Sequence, residues 1–359
     1  MTSLQEYATY REIKSQPEAW AQALVEVARI KSMPKTEEYE QVIFIGCGST
    51  YYLSLAAAAL YQELTGRAAR AVPAGELLLN TQASVGWIGR ETSPKGDNPP
   101  GRDNIPPHEL LVAISRSGTT TETVKAVEKF KEEKRGEVVV ISNYDEALSR
   151  LADVNIVISK GQEESVAQTR SFASMYVAVT AFCIRMAGRW DLMETVNALP
   201  KVGERLIGKY ESFAKEIGED LDFDRFYFLG SATRYGLSCE VNLKMKEMTL
   251  THSEPFHFLE FRHGPMSMVN QNAVVVGMLS DVNRVHEAKV LSEMEALGGT
   301  VTSLGESEAD VQFESGIPES VRGVLYLPVL QLMAFYRSLA KGLNPDRPTN
   351  LTAVVKLDF

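Results

Sequence analysis

Short apolar runs alternate along this chain with longer stretches whose apolar positions recur every three or four residues. The first kind reads as buried strands and the second as helices packed on them. Gln41–Gly46 predicts a strand, and the Ala- and Leu-rich segment Tyr51–Thr65 predicts a helix behind it. Glu109–Ser115, Glu137–Ser142 and Val154–Ser159 predict further strands. Helical patterns begin at Thr123–Phe130 and run again from Ser171 to Gly188. Strands that are apolar throughout and separated by helices belong to a parallel sheet covered on both faces.

The pattern then restarts. Arg225–Gly230 predicts a strand and Leu237–Thr251 a helix. Ala273–Ser280, Gly299–Leu304 and Val324–Leu327 predict more strands, and Val329–Lys341 a last helix. The turn Phe44-Ile45-Gly46-Cys47-Gly48-Ser49-Thr50 has the layout of Phe228-Leu229-Gly230-Ser231-Ala232-Thr233-Arg234. Two copies of one unit are therefore expected. The fold class is α/β, with two tandem units, each a mostly parallel sheet with helices on both faces. Residues 1–195 would hold N-terminal helices and the first unit. Residues 196–359 would hold the second unit and a C-terminal tail, with Trp190–Tyr210 as the join. Arg90–Pro107, rich in Pro and Gly, is expected to be an exposed loop, either a linker or a flap near a site.

Composition narrows the function. The chain has 359 residues, 44% hydrophobic and 23% charged, a globular balance with room for two domains. Its formal net charge of −10, with no long basic run, argues against nucleic acid as a partner. Cys47, Cys183 and Cys239 are scattered without metal-ligand spacing, as expected in a reducing cytoplasm. The polar start, Met1 to Ser15, does not read as a signal peptide. No apolar run is expected to cross a membrane.

Candidate chemistry lies first between the strand Glu109–Ser115 and the helix after it. Ser115, Ser117, Gly118, Thr119, Thr120 and Thr121 make a hydroxyl-rich turn. The first N–H groups of a helix lack partners and the helix dipole favours negative charge there, so such a turn suits an anion. No Lys follows in the pattern of a nucleotide-triphosphate loop, which favours a single phosphate monoester over a triphosphate; the plainer alternative is a Ser/Thr N-cap and nothing more. The corresponding place in the second copy, Asp281-Val282-Asn283-Arg284, lacks the Ser-x-Ser-Gly sequence, so the anion site is expected in the first copy alone.

Glu240, Lys244 and Glu247 form a second constellation. Their spacing puts them on one helix face, beside an apolar stripe of Val241, Met245 and Met248. A carboxylate at the edge of a core can have the raised pKa that a general base needs. The plainer alternative is a solvated face with i,i+4 pairing. Downstream, His263 precedes the turn Gly264-Pro265; imidazole transfers protons near neutral pH. His252 and His257 lie nearby, but acid/base chemistry accounts for the carboxylates better than a metal, and none is expected.

At this point the chain resembles the SIS (sugar isomerase) family of phosphosugar-binding domains, and within it the isomerase half of glucosamine-6-phosphate synthase and free-standing deaminases and isomerases. The resemblance runs from about Tyr10 to Phe359. It rests on Ile45–Thr50, Ser115–Thr120, Glu240–Glu247, His263-Gly264-Pro265 and Asn344-Pro345-Asp346-Arg347-Pro348. It implies that Thr50, Ser115, Arg116, Ser117 and Thr120 hold a 6-phosphate and that Gly48 and Ser49 line the substrate site. Arg116 stands where the synthases usually carry Gln, and its side chain either adds a charge-assisted bond or points away. Val166 and Gln168 match a wall around the sugar. Glu247 matches the base that moves a proton between C1 and C2, with Glu240 and Lys244 as its polar neighbours. His263 matches the group that opens the sugar ring, reaching in from the other subunit of a homodimer.

Two departures stand out. No glutaminase domain is read in the chain, so glutamine is not expected to supply nitrogen. The family's tail lysine, which forms an imine with the ketose, aligns with Ala353; Lys356 comes three residues late. The expected function is a phosphosugar aldose–ketose isomerase without metal or cofactor, acting on an amino-sugar 6-phosphate such as glucosamine 6-phosphate and releasing ammonia. The alternatives are a plain ketose/aldose isomerase, a deglycase of sugar–amine 6-phosphates, and a non-catalytic sugar-phosphate sensor.

Overall fold

The computed structural model describes residues 3–86, 108–355 and 357. The first parallel sheet contains β1 (Gln41–Gly46), β2 (Ala69–Pro73), β3 (Glu109–Ser115), β4 (Gly136–Ser142) and β5 (Val154–Val157), in the order β2-β1-β3-β4-β5. The second contains β6 (Arg225–Leu229), β7 (His252–Phe256), β8 (Ala273–Met278), β9 (Thr300–Gly305) and β10 (Val311–Gln312), in the order β10-β9-β8-β6-β7. Read from the first strand of each half, the two orders are the same. In both, the chain reverses direction across the sheet at the first strand, and ligands of open parallel sheets bind at the strand ends beside such a switch.

The strand cores follow from composition. Every residue of β3 is buried, including Glu109, whose carboxylate is held by Arg135 at 2.6 and 2.9 Å. A buried charge persists only with such a partner. The two halves meet where the helix Ser49–Thr65 crosses the helix Thr233–Thr249. Gly236 permits the approach: a Cβ there would lie 2.5 Å from the Tyr52 carbonyl oxygen. The N-terminal helix Ala8–Lys14 is tied to the C-terminal tail by Asp346, whose carboxylate accepts from the Ala8 and Thr9 N–H groups at 2.9 and 2.8 Å.

Several expectations need correcting. Val324–Leu327 is not a strand; Gly323–Tyr326 is a 3₁₀ turn that runs into the helix Leu327–Ala340, started by Pro328. A short apolar run looks the same for a buried strand and a buried helix, and Pro at the first turn decides for the helix. Gly323–Ala340 is also long and apolar enough to cross a membrane by length and composition, contrary to expectation, but 89% of it is buried within the fold. The helix Thr233–Thr249 begins one turn earlier than its apolar pattern suggests. Strands β2 and β7 escaped notice because they are short edge strands with polar or Pro residues, Arg70 in one and Glu254 and Pro255 in the other. The Arg90–Pro107 loop lies outside the described residues.

Candidate active site

The Ser/Thr residues expected to hold phosphate are brought together in the loop at the C-terminal end of β3. Gly118 takes φ +66°, and a Cβ there would press on Glu146 and the Tyr144 carbonyl at 3.2 Å, so only Gly fits. The turn folds back on its own hydroxyls: Gly118 N–H donates to Ser115 Oγ at 3.2 Å and Thr119 N–H to Ser117 Oγ at 3.1 Å. Thr120 Oγ1 stands 3.5 Å from both Ser115 Oγ and Ser117 Oγ, at the N-terminus of the helix Thr121–Glu132. Thr50 and Ser49 open the neighbouring helix Ser49–Thr65 behind Gly48, which takes φ +56°. Thr50 Oγ1 is engaged locally, accepting from Cys47 N–H at 2.9 Å.

Arg116 belongs to a different set of contacts. Its guanidinium donates to the Val166 carbonyl at 2.8 Å and to the Ala353 carbonyl at 2.5 Å, and lies 3.8 Å from the buried carboxylate of Glu163. The side chain is therefore directed to the wall and the tail, not to the phosphate loop. Val166 N–H in turn donates to the Asp346 carbonyl at 3.0 Å. Gln168 is half-buried, with its Oε1 3.5 Å from Ser171 Oγ. The tail crosses back to the phosphate loop, where Leu357 N–H donates to Thr121 Oγ1 at 3.1 Å. Arg116 thus fastens the tail at Ala353. Lys356 lies outside the described residues.

The second constellation meets the first across the halves. Lys244 Nζ donates to Glu247 Oε2 at 2.5 Å and to Ser49 Oγ at 3.2 Å, and lies 3.4 Å from Glu240 Oε1. Lys244 and Glu240 are buried, while Glu247 is one-fifth exposed. So this is no solvated face; Val241, Met245 and Met248 are core residues, as expected. Neither Glu240 oxygen accepts a well-formed hydrogen bond among the described residues. Burial pushes its carboxyl up to about 8, with Lys244 pulling it down and Glu247 pushing it up. Burial acts to lower the Lys244 pKa, but Glu240 and Glu247 outweigh it and keep the ammonium charged. The result is a buried cation between two carboxyl groups, Glu240 fully enclosed and Glu247 reaching solvent.

His263 is exposed on the turn after Glu260–Arg262, and its N–H donates to the Glu260 carbonyl at 2.9 Å. None of the side-chain hydrogen bonds among the described residues joins it to Lys244 or Glu247. His252 is exposed beside Glu254, and His257 stacks on Tyr235 at 3.9 Å with its pKa lowered by burial. No cluster of His, Cys, Asp or Glu suited to a metal occurs among the described residues. The composition-led reading missed Glu163, which also binds the N–H groups of Thr169 and Ser171, at 2.8 and 3.1 Å. A lone Glu in an irregular segment carries no periodic signal.

Two like-ordered parallel sheets with a Ser/Thr loop at a switch point define a two-unit α/β architecture. The SIS domain family model matches residues 95–185, the stretch that contains β3, the Ser/Thr turn after it and β4. It is 33% identical over 258 residues to the glutamine–fructose-6-phosphate aminotransferase [isomerizing] of Sulfolobus acidocaldarius, covering 70% of this chain and 43% of that one. With the Pyrococcus horikoshii protein of the same name it shares 28% over 373 residues, 98% of this chain and 58% of that one. The chain thus spans about half the length of the curated relatives it matches. The solved glucosamine-6-phosphate deaminase from Thermotoga maritima superposes with a TM-score of 0.76 at 25% identity, covering 98% of this chain and 100% of that one. The tagatose-6-phosphate ketose/aldose isomerase from Escherichia coli, at 20% identity and TM-score 0.82, covers 97% of this chain and 98% of that one and shares its fold.

Proposed function

We propose that this protein is a phosphosugar aldose–ketose isomerase that deaminates an amino-sugar 6-phosphate, such as glucosamine 6-phosphate, to the ketose 6-phosphate and ammonia. The observation that carries the proposal is the Lys244 bridge. Lys244 Nζ touches Glu247 and also Ser49, which opens the helix beside the phosphate loop. A sugar anchored by its phosphate on Ser115, Ser117 and Thr120 would run toward Glu247. Holding it there supplies much of the rate by proximity.

Glu247 takes the proton from C2 of the open-chain sugar and returns it to C1. With the C1 oxygen taking up the proton that the amine nitrogen gives up, the 2-amino aldehyde becomes a 1-hydroxy-2-imine; water adds at C2 and ammonia leaves, giving the ketose. Lys244 stabilises the negative charge that develops on the C1 oxygen. Ring opening falls to His263 of the partner subunit in a homodimer, which suits its exposed position. The likeness to the Thermotoga maritima deaminase supports the ammonia-releasing form of the reaction. A buried ammonium flanked by two carboxylates is a costly arrangement for a mere sensor. Such a reaction belongs in the cytoplasm.

The test is a panel of 6-phosphosugars and amino-sugar 6-phosphates, scored separately for ammonia and for ketose. Ammonia and ketose appearing together from glucosamine 6-phosphate is the expected result. Ketose from a neutral aldose phosphate alone would make the protein a plain isomerase, and turnover of sugar–amine adducts alone a deglycase.

A further inference from the structure

We propose that the second half carries its own anion site, for a phosphate monoester, which Glu319 holds shut. This goes beyond the reaction above and concerns different residues. Ser280 lies just past β8, one residue beyond the position that Ser115 takes in β3, and Arg234 holds the place of Thr50. The turn before it keeps the backbone of the first copy: Ala232 takes φ 52° and ψ −127°, against φ 56° and ψ −123° at Gly48. The Ser-x-Ser-Gly sequence is gone here, but the cradle is not.

Its occupant is a carboxylate from the same chain. Glu319 Oε2 accepts from Asp281 N–H at 2.7 Å and from Ser280 Oγ at 3.1 Å, while Oε1 accepts from the Arg234 guanidinium. A backbone N–H, a hydroxyl and a guanidinium at a strand end are the donors a phosphate group takes. The cradle is rigid and its occupant is not. Ser280 and Arg234 are buried, and Arg234 stays fixed by Glu287 at 3.0 Å, which also accepts from Ser280 N–H at 2.6 Å. Glu319 is one-fifth exposed and comes from a short 3₁₀ turn, so it can swing out by side-chain rotation.

Space and spare donors are already present. A cavity of about 360 Å³ adjoins the cradle, lined by Thr233, Arg234, Ser280, Asn283 and Glu319. Thr233 Oγ1 and Arg234 Nε are buried there without hydrogen-bond partners among the described residues. An unpaired buried donor carries a desolvation cost that a ligand oxygen would remove. Glu63, at the rim, would oppose an anion if ionised. Burial and the Glu319 charge push its carboxyl up, toward the neutral form that donates.

The experiment follows the backbone amide of Asp281 by NMR in the full chain, titrated with inorganic phosphate and separately with fructose 6-phosphate, against sodium chloride at equal ionic strength. Asp281 lies in the second half, so its response is independent of whether the first-half loop binds phosphosugar. Glu319→Gln should give a saturable shift at least tenfold tighter than wild type, and Ser280→Ala in that background should abolish it. Tighter binding of the ester than of free phosphate would identify the ester as the ligand; equal binding would identify phosphate itself. No saturable shift in a folded Glu319→Gln protein overturns the proposal. If that variant does not fold, the wild-type titration decides: movement of Asp281 beyond the chloride control supports the site, and none rejects it.

Discussion

Lys244 and Glu247 sit one turn apart on the helix Thr233–Thr249, with Nζ 2.5 Å from Oε2, and the same ammonium touches Ser49 of the other half at 3.2 Å. The proposed base and the helix Ser49–Thr65 are thus joined by one cation. Glu247→Gln keeps the shape and a hydrogen-bond acceptor for Lys244, yet cannot take a proton. It should bind phosphosugar nearly as wild type and lose about 10²–10⁴ in kcat. Steady-state kinetics beside calorimetric binding checks this; near-full kcat would remove Glu247 from the reaction.

Glu240 makes the site's stability depend on pH. Its ordinary value is near 4.5, and in the fold burial raises it to about 8. Between those values the folded protein holds the proton more tightly than the unfolded chain does, so this group's contribution is full below pH 4.5 and is lost as pH rises through about 8. Glu240→Gln cannot ionise. Its Tm relative to wild type should therefore climb across that window, by about 1–2 °C for each kcal/mol of ionisation penalty avoided. A Tm difference that stays flat with pH would show that Glu240 does not change its charge on folding.

These contacts mark how far the sequence could be read. β3 and the turn after it were legible because a fully apolar run ending in Ser and Gly before a helical pattern reads simply as a buried strand turning into a helix. The face Glu240-Lys244-Glu247 was legible as a face but not as a buried one. Helical spacing shows which side chains align, and the depth of that side depends on the helix Ser49–Thr65, far away in sequence. Arg116 was out of reach for the same reason. Its partners, Val166 and Ala353, are carbonyls at distant positions, and a backbone carbonyl leaves no mark in the sequence. Glu319 was hidden too, since the lost Ser-x-Ser-Gly pattern suggested an absent cradle and not a filled one.

Arg116 should act on the tail, not on phosphate affinity. Arg116→Gln removes the bond to the Ala353 carbonyl and leaves Glu163 without its nearby cation. Losing charged hydrogen bonds of this kind costs about 1.5–3 kcal/mol each when buried. Hydrogen exchange should quicken at Leu357 and Val166, whose amides are bonded to Thr121 and Asp346. Phosphate affinity should change little. A large loss of phosphate binding with unchanged exchange at Leu357 would return Arg116 to the phosphate loop.

Ser117 is the better probe of that loop. Its hydroxyl already organises the turn, accepting from Thr119 N–H and Thr119 Oγ1 at 3.1 and 3.2 Å. Ser117→Ala should weaken 6-phosphosugar binding by about 1–3 kcal/mol, the range for losing a hydrogen bond to a charged acceptor. Ser231, in the second copy, accepts only from Phe258 N–H at 3.3 Å among its side-chain bonds, so Ser231→Ala should matter much less. Equal losses at the two positions in calorimetry would contradict an active phosphate site in the first half.

His263 sets the last and most demanding test, because within one chain no hydrogen bond among the described residues connects it to Glu247. If it serves the partner's site, then Glu247→Gln and His263→Ala proteins should each be nearly inactive alone. In a dimer with twofold symmetry each site takes one contribution from either chain. A mixed dimer of the two variants therefore contains one site with both defects and one with neither. After subunit exchange at equal amounts about half the dimers are mixed, each with one intact site of two, so activity should return to roughly one-quarter of wild type. Native mass spectrometry reports the exchange and an ammonia assay the recovery. Full exchange without recovery would mean that ring opening is carried out within one chain, or by a group other than His263.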